Sequence, residues 1–147
     1  MSLIGEILPA ENILPNVSVS SKKRVLEEIA LLLENRYGLM RGEVFDCLFA
    51  REKLGSTGLG QGVAIPHGRF AGIDTTVAVF LRLQEAVSFD APDGKPVNLV
   101  FALLVPENAA GHHLEILSRL ADIFSTKTAR EALLQASSAE EVRAVFL

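Results

Sequence analysis

The sequence predicts an α/β domain in which a single mixed β-sheet is flanked by helices on both sides. Two observations indicate this fold. Residues 97–105 (VNLVFALLV) are apolar almost without a break, and segments with helical spacing occur before, between and after the predicted strands. A continuous apolar run is typical of a strand covered on both faces, and this order of elements is typical of a layered α/β domain. The 147 residues are expected to form one domain, residues 1–147.

The first part of the chain contains one predicted strand and two amphipathic helices. The elements are a strand over 13–19, a helix from Ser20 or Ser21 to Tyr37, and a helix over 42–53. Gly38 ends the first helix, because glycine adopts the left-handed conformation that closes many helices, and Gly55 ends the second. Apolar residues recur at helical spacing in both, at Val25, Leu26, Ile29, Leu32, Leu33, Val44, Phe45, Leu48 and Phe49.

The second part contains the remaining strands and three helices. Strands are predicted over 63–65, 75–83 and 97–105, and helices over 112–124, 128–135 and 139–146. Asp93 and Gly94 form a typical turn between the two longer strands. The segment 75–83 is rich in β-branched residues, which favours a largely buried strand.

Composition excludes several classes of function. Fourteen Lys and Arg against eighteen Asp and Glu give a net charge of −4, which disfavours nucleic acid as the main partner. No apolar run approaches the ~20 residues that span a bilayer, and residues 1–10 lack the basic start of a secretory signal. Cys47 is the only cysteine, which excludes an internal disulfide and fits the cytoplasm.

The most informative segment is a glycine-rich loop that leads to a histidine. Four glycines lie within residues 55–62, and a short apolar run then ends at Pro66 and His67. Glycines allow a backbone to present consecutive N–H groups to an anion, and a neutral imidazole is a nucleophile near pH 7. Because the loop precedes the imidazole directly, we expect a phosphoryl group carried on His67, with Ser56, Thr57 and Gly58 binding the phosphate.

Two further side chains fit this chemistry. Arg51 lies just before the loop, and a guanidinium can bind a phosphoryl group through two hydrogen bonds. His112 and His113 open the helix after the long apolar strand, where the helix dipole favours a neutral ring. His113 lies four residues before Leu117 of the apolar face, so we assign the inward-facing role to His113. The alternative interpretations are a helix-terminal cation for Arg51 and a solvated or capping histidine at 113.

Two other classes of function remain open at this level. A metal-dependent hydrolase could use His67, His113 and a carboxylate, but the spacing supplies no His-x-x-x-His pair or third ligand. A pure interaction module could bind an anion in the glycine loop without chemistry. Neither a metal nor a cofactor is expected for phosphoryl exchange between two imidazoles.

The same residues carry a family resemblance. The run from Arg51 to Gly60 (REKLGSTGLG), followed by residues 63–68 (VAIPHG), resembles the phosphorylation-site signature of the fructose/mannitol-type enzyme IIA proteins of the bacterial phosphotransferase system. The resemblance continues through residues 89–91, 95–97 and 101–106 and the helix from His113, and so covers nearly the whole chain. It implies a mixed sheet flanked by helices, His67 as the phosphorylated histidine, His113 as the second active-site histidine and Arg51 as the phosphate-binding arginine.

Within that family, residues 66–69 (PHGR) and 88–91 (SFDA) are most similar to the nitrogen-regulatory branch. The resemblance implies a cytoplasmic phosphocarrier that accepts phosphate from a histidine phosphocarrier protein (HPr-like) and acts on regulated target proteins. The alternative is a sugar-specific IIA that passes phosphate to a separate IIB subunit. Donor docking is expected on a shallow apolar patch, with Leu59, Val63 and Phe70 as candidates.

Overall fold

The computed structural model describes residues 2–109 and 111–147, without the side chain of His112. Within these ranges the chain forms six strands and five α-helices, preceded by a short 3₁₀ turn over Ala10–Asn12. In chain order they are β1 (Ile13–Val17), α1 (Lys22–Tyr37), α2 (Arg41–Leu54), β2 (Gly58–Gly60), β3 (Val63–Ala64), β4 (His67–Phe70), β5 (Val77–Val87), β6 (Val97–Pro106), α3 (His112–Ser125), α4 (Lys127–Gln135) and α5 (Ala139–Val145). None of the helices so described is long and apolar enough to cross a membrane.

One mixed sheet contains all six strands. The strand order is β1-β5-β6-β3-β2, and β4 also pairs with β6. The pairs β1–β5, β3–β6 and β4–β6 are parallel, whereas β5–β6 and β2–β3 are antiparallel. The predicted mixed sheet is therefore confirmed, with the apolar segment 97–105 at its centre as β6.

The alternation of side chains along β6 divides the core into two layers. Val100, Ala102 and Leu104 pack with buried residues of α1 and α2. Leu99, Phe101 and Leu103 face the other way and pack with buried residues of α3, α4 and α5. Because successive side chains of a strand point to opposite faces, one apolar strand serves both layers. The prediction of helices on both sides is confirmed.

The ends of the first helix follow the predicted chemistry. The Ser21 hydroxyl accepts a hydrogen bond from the Arg24 amide at 3.2 Å, which caps α1. Gly38 closes the same helix with φ +71°. Strand β5 begins two residues later than predicted and extends to Val87 rather than residue 83.

The chain around the glycine loop contains more strand than the sequence predicts. Strand β3 covers only two residues, and β2 and β4 flank it as unpredicted strands. Strands β3 and β4 pair with successive parts of β6, and Pro66 between them accepts from the Leu103 amide at 2.9 Å. Proline has no N–H to donate to a sheet, so the pairing is interrupted there. His67 therefore begins a strand of its own, β4, beyond the end of the strand predicted over 63–65.

Candidate functional site

Three separate parts of the chain line one cavity, and His67 is among the lining residues. The cavity has a volume of about 370 Å³. Arg51 comes from the last turn of α2 and His67 from the start of β4. The remaining lining residues are Ser56, Thr57, Gly58, Leu59 and Ile65 beside them, and Leu117, Ser118 and Ala121 of α3. The structure thus brings the predicted arginine, glycine loop and histidine together at one site.

The ring of His67 has a defined tautomer. Its Nδ1 lies 2.8 Å from the carbonyl oxygen of Ile65. A carbonyl oxygen can only accept, so in the neutral ring the proton is on Nδ1 and Nε2 keeps its lone pair. The nitrogen available for nucleophilic attack is therefore Nε2.

The surroundings of His67 favour its neutral form. Burial is the main cause that lowers the pKa of His67 below its ordinary value of 6.5. The positive charges of Arg51 and of protonated His113 lower this pKa further, while the hydrogen bond to Ile65 and the charge of Glu52 oppose them. The lowering causes prevail. The imidazole is therefore unprotonated, and nucleophilic, down to a lower pH than a free histidine.

Arg51 is held at the entrance of the loop by its own helix end. Its Nη1 donates to the carbonyl oxygen of Gly55, the residue that caps α2, at 2.8 Å. One Nη1 contact leaves the other guanidinium N–H groups for an anion in the cavity. The helix-terminal interpretation and the phosphate interpretation of Arg51 are therefore compatible.

The glycine loop does not offer the free amides that the sequence suggests. The Thr57 amide and hydroxyl donate to the Glu52 carboxylate at 3.0 and 2.5 Å. The Gly58 amide donates to the Ser56 hydroxyl at 3.0 Å, and that hydroxyl donates to the carbonyl oxygen of Phe89. The expectation of a cradle of free N–H groups at Thr57 and Gly58 was wrong, because neighbouring oxygens already satisfy both amides. The loop therefore forms one wall of the cavity and is fixed there by its own hydrogen bonds.

His113 lies in the first turn of α3, beyond the left-handed Gly111 that precedes this helix. Its side chain is half-buried, and Nδ1 is buried with no hydrogen-bond partner in the part of the chain that is described. Leu117, one helical turn later, lines the cavity, whereas His113 does not. The structure therefore places His113 beside the site, close enough for its charge to act on His67. The side chain of His112 lies outside the described residues.

Sequence reasoning missed two charged residues behind the loop. Glu52 is 5% exposed and accepts from Thr57 and from Lys22 Nζ, the latter at 3.0 Å. In the sequence Glu52 is one charge within Arg51-Glu52-Lys53, and nothing marks it as buried. The available signal was Lys22, a cation in the first turn of a helix, where the helix dipole disfavours positive charge.

The positions of possible metal ligands bear on the alternative of a metal-dependent hydrolase. Over residues 2–109 and 111–147, no three His, Cys, Asp or Glu side chains lie close enough together to hold a metal ion.

Comparison with known proteins decides the family. Residues 6–147 match the family described as phosphoenolpyruvate-dependent sugar phosphotransferase system, EIIA 2. The chain belongs to this EIIA family. The nitrogen regulatory protein homolog of Haemophilus influenzae is 44% identical to this EIIA protein over 147 residues, covering 97% of the chain and 90% of the relative. The predicted resemblance to the family and to its nitrogen-regulatory branch is confirmed.

Solved structures agree with the fold of this EIIA protein. The crystal structure of nitrogen regulatory protein IIA-Ntr from Neisseria meningitidis has 63% sequence identity and a TM-score of 0.95, covering 99% of this chain and 100% of that one. The crystal structure of IIA mannitol from Escherichia coli has 24% identity and a TM-score of 0.80, covering 95% and 99% of the two chains. At that identity the second likeness concerns the fold alone.

Proposed function

We propose that this EIIA protein accepts a phosphoryl group on Nε2 of His67 from a phosphohistidine carrier protein. The observation that carries the proposal is the 2.8 Å hydrogen bond from Nδ1 of His67 to the Ile65 carbonyl oxygen. It leaves a single lone pair, on Nε2, in a ring that lines a cavity beside Arg51. Membership of the EIIA family supports phosphotransfer as the chemistry.

The proposed transfer needs no reactant besides the phosphorylated donor and His67. The Nε2 lone pair of His67 forms a new N–P bond while the N–P bond of the donor breaks. The electron pair of the broken bond stays on the donor imidazole, which leaves as a neutral ring if its other nitrogen carries a proton. Because phosphoryl transfer passes through a loose transition state, the protein acts chiefly by positioning the groups and balancing their charge.

Each neighbouring group has a defined part in this step. Arg51 binds the phosphoryl oxygens through its free guanidinium N–H groups and offsets their charge. We assign His113, which lies beside the cavity, the part of adjusting the charge around His67. Ser56, Thr57 and Gly58 shape the wall of the cavity, and of the three we assign Ser56 to phosphate contact. Its amide makes no hydrogen bond within the described residues.

We propose that the donor docks on the apolar rim of the cavity. Leu59 lines the cavity and is 46% exposed, as such a role requires. Val63 and Phe70, the other two predicted docking residues, are buried in the core and cannot contact a partner. These two apolar side chains pack in the core on either side of the sheet, so Leu59 is the docking candidate that remains.

We infer a regulatory role in the cytoplasm, in which the phosphorylation state of His67 controls target proteins. The relatives named nitrogen regulatory protein support this inference. The alternative role is that of a sugar-specific IIA that hands phosphate to a separate IIB subunit.

Labelling with phosphate from phosphoenolpyruvate tests the proposal. The chain is incubated with labelled phosphoenolpyruvate and the two upstream phosphotransferase proteins, and its acid-labile, base-stable label is measured. We expect His67→Ala to abolish the label and His113→Ala to slow its appearance without preventing it. Strong labelling of the His67→Ala protein would overturn the proposal. A fructose-type IIB subunit, added as acceptor, separates the two roles, since rapid transfer to it would favour the sugar-specific one.

A further inference from the structure

A buried ion pair stands behind the glycine loop. Glu52 follows Arg51 on α2, but its carboxylate lies in the interior, where it accepts from the Thr57 amide and hydroxyl and from Lys22. The side chain of Glu52 is 2% exposed and that of Lys22 is 19% exposed. A buried charge is costly unless it is paired and hydrogen-bonded, and here both conditions are met.

Lys22 occupies an unfavourable place for a cation. It is the first residue of α1, directly after the cap Ser21, and the positive end of the helix dipole disfavours an ammonium group there. Its Nζ is held by Glu52 at 3.0 Å and by the exposed Asp90 at 3.5 Å, and it lies 5.3 Å from the centroid of the Phe89 ring. Helix formation alone would favour another residue at position 22, so the pairing with Glu52 explains the lysine.

The hydrogen bonds continue from this pair to the ring of His67. Glu52 fixes Thr57 through two bonds. The Thr57 carbonyl oxygen accepts from the Ile65 amide at 3.0 Å. The Ile65 carbonyl oxygen then accepts from Nδ1 of His67 at 2.8 Å. The ion pair therefore reaches the imidazole through two backbone segments without touching it.

We propose that Glu52 and Lys22 are positioning residues for the nucleophile. They fix Thr57, and Thr57 fixes the Ile65 carbonyl that holds the proton of His67 on Nδ1. Without the pair, the carbonyl loses its fixed place and the neutral ring populates both tautomers. Only the tautomer with a free Nε2 matches the proposed reaction, so the consequence for transfer rests on the proposed function, whereas the effect on the tautomer does not.

Nitrogen NMR of the unphosphorylated protein tests the inference. The ¹⁵N shifts of the His67 ring are recorded well above its pKa in the wild type, Glu52→Ala, Glu52→Gln and Lys22→Met. We expect one tautomer, protonated on Nδ1, in the wild type and a mixture in Glu52→Ala. Glu52→Gln keeps an acceptor oxygen for Thr57, so we expect it to restore much of the single tautomer. Lys22→Met leaves the Glu52 carboxylate without its ion-pair partner. We expect the proportion of the Nδ1-protonated tautomer in this variant to lie between those in Glu52→Ala and Glu52→Gln.

Asn12→Ala is a matched control for simple loss of stability. Asn12 is fully buried and makes side-chain hydrogen bonds to Tyr37, Ala78 and Arg36, with none to the glycine loop. We expect this variant to lose stability yet keep the single tautomer of His67. In transfer assays, kcat of Glu52→Ala should fall roughly tenfold to a hundredfold with little change in KM for the donor.

The outcomes are distinct. A single unchanged tautomer in both Glu52→Ala and Lys22→Met would overturn the inference and leave the pair a purely structural role. If Glu52→Ala does not fold, the folded Glu52→Gln and Lys22→Met proteins decide by the same spectrum. A mixed tautomer in Glu52→Ala, together with a wild-type protein that accepts no phosphate, would support the positioning and contradict the proposed function.

Discussion

The imidazole of His67 folds back onto the carbonyl of Ile65, two residues earlier, with 2.8 Å between Nδ1 and the oxygen. Pro66 between them has a fixed φ and no N–H to donate to the sheet, while its carbonyl oxygen accepts from Leu103 of β6. A short local contact thus decides which ring nitrogen is protonated. The contact that sets the tautomer lies within one chain segment, which is held by strand β6 and, through the Ile65 amide and Thr57, by Glu52.

Phosphate acceptance should persist below pH 6.5. Only the neutral ring has a lone pair on Nε2, and burial lowers the pKa of His67 below its ordinary 6.5. As the pH falls from 8, the transfer rate should reach half of its plateau value below pH 6.5. The rate under a saturating donor and the His67 proton resonances are measured in parallel over the same pH range.

His113→Asn provides the control for that profile. It removes the ring whose charged form lowers the pKa of His67, so the pKa of His67 in this variant should rise towards 6.5. Half-protonation of His67 at pH 6.5 or above in the wild type would contradict the lowered pKa of His67.

Replacing Arg51 should impair transfer more than folding. The side chain lines the cavity with His67 and has one hydrogen bond to the helix cap. Loss of a donor aimed at developing charge lowers kcat by about a hundredfold in other enzymes, and we expect a similar loss for Arg51→Ala. Arg51→Lys keeps the charge without the planar fork and should recover only part of the rate.

Stopped-flow transfer and urea unfolding distinguish the two effects. Arg24→Ala, which removes an exposed arginine paired with Glu27, serves as the control. A full transfer rate in Arg51→Ala would exclude Arg51 from phosphate binding.

The apolar rim can be tested with two leucines of equal exposure. Leu59 is 46% exposed and lines the cavity, whereas Leu134 on α4 is 44% exposed and does not. Burying a leucine at an interface is worth about 1.5–3 kcal/mol, so Leu59→Lys should raise KM for the donor roughly tenfold or more. Leu134→Lys should leave KM unchanged. Equal KM values for the two variants would place the docking surface elsewhere.

A tight packing contact lies directly beside the nucleophile. A Cβ added to Gly68 would lie 2.7 Å from Sγ of Cys47, whose thiol donates to the Arg69 carbonyl oxygen. Gly68→Ala should therefore destabilise the protein by about 1–3 kcal/mol, as overpacking does. Urea unfolding measures the loss. Cys47→Ala removes the obstructing sulfur, so the variant that carries both substitutions should recover most of the stability lost in Gly68→Ala. If the losses of stability in the two single variants simply add in the double variant, the contact between residues 68 and 47 is contradicted.

The parts of the fold that could be predicted were those with a strong periodic signal. The apolar run of β6 and the helical spacing of α1 and α3 each indicate both a structure and a buried face. Strands β2 and β4 could not be found in this way, because they are short and contain glycine. Strand β4 exists because the long strand β6 supplies its hydrogen-bond partners, and β2 exists because it pairs with β3, which is itself paired with β6.

The site likewise contains residues that the sequence predicts and residues that it does not. Arg51, the loop and His67 were found because their types and order carry chemistry. The occupied amides of Thr57 and Gly58 depend on Glu52 and Ser56, and no local pattern reveals which way a side chain on a helix end turns. The Lys22–Glu52 pair joins residues thirty positions apart, a contact that only the folded chain creates.

The position of the phosphorus in phosphohistidine distinguishes Nε2 of His67 from every other acceptor atom. The chain is phosphorylated by its donor, and ³¹P and ¹⁵N NMR of the labelled histidine identify both the residue and the ring nitrogen that bears the phosphorus. We expect one phosphohistidine, at His67, with phosphorus on Nε2 and Nδ1 still facing the Ile65 carbonyl. Phosphorus on Nδ1 of His67, or on any other residue, would contradict this expectation.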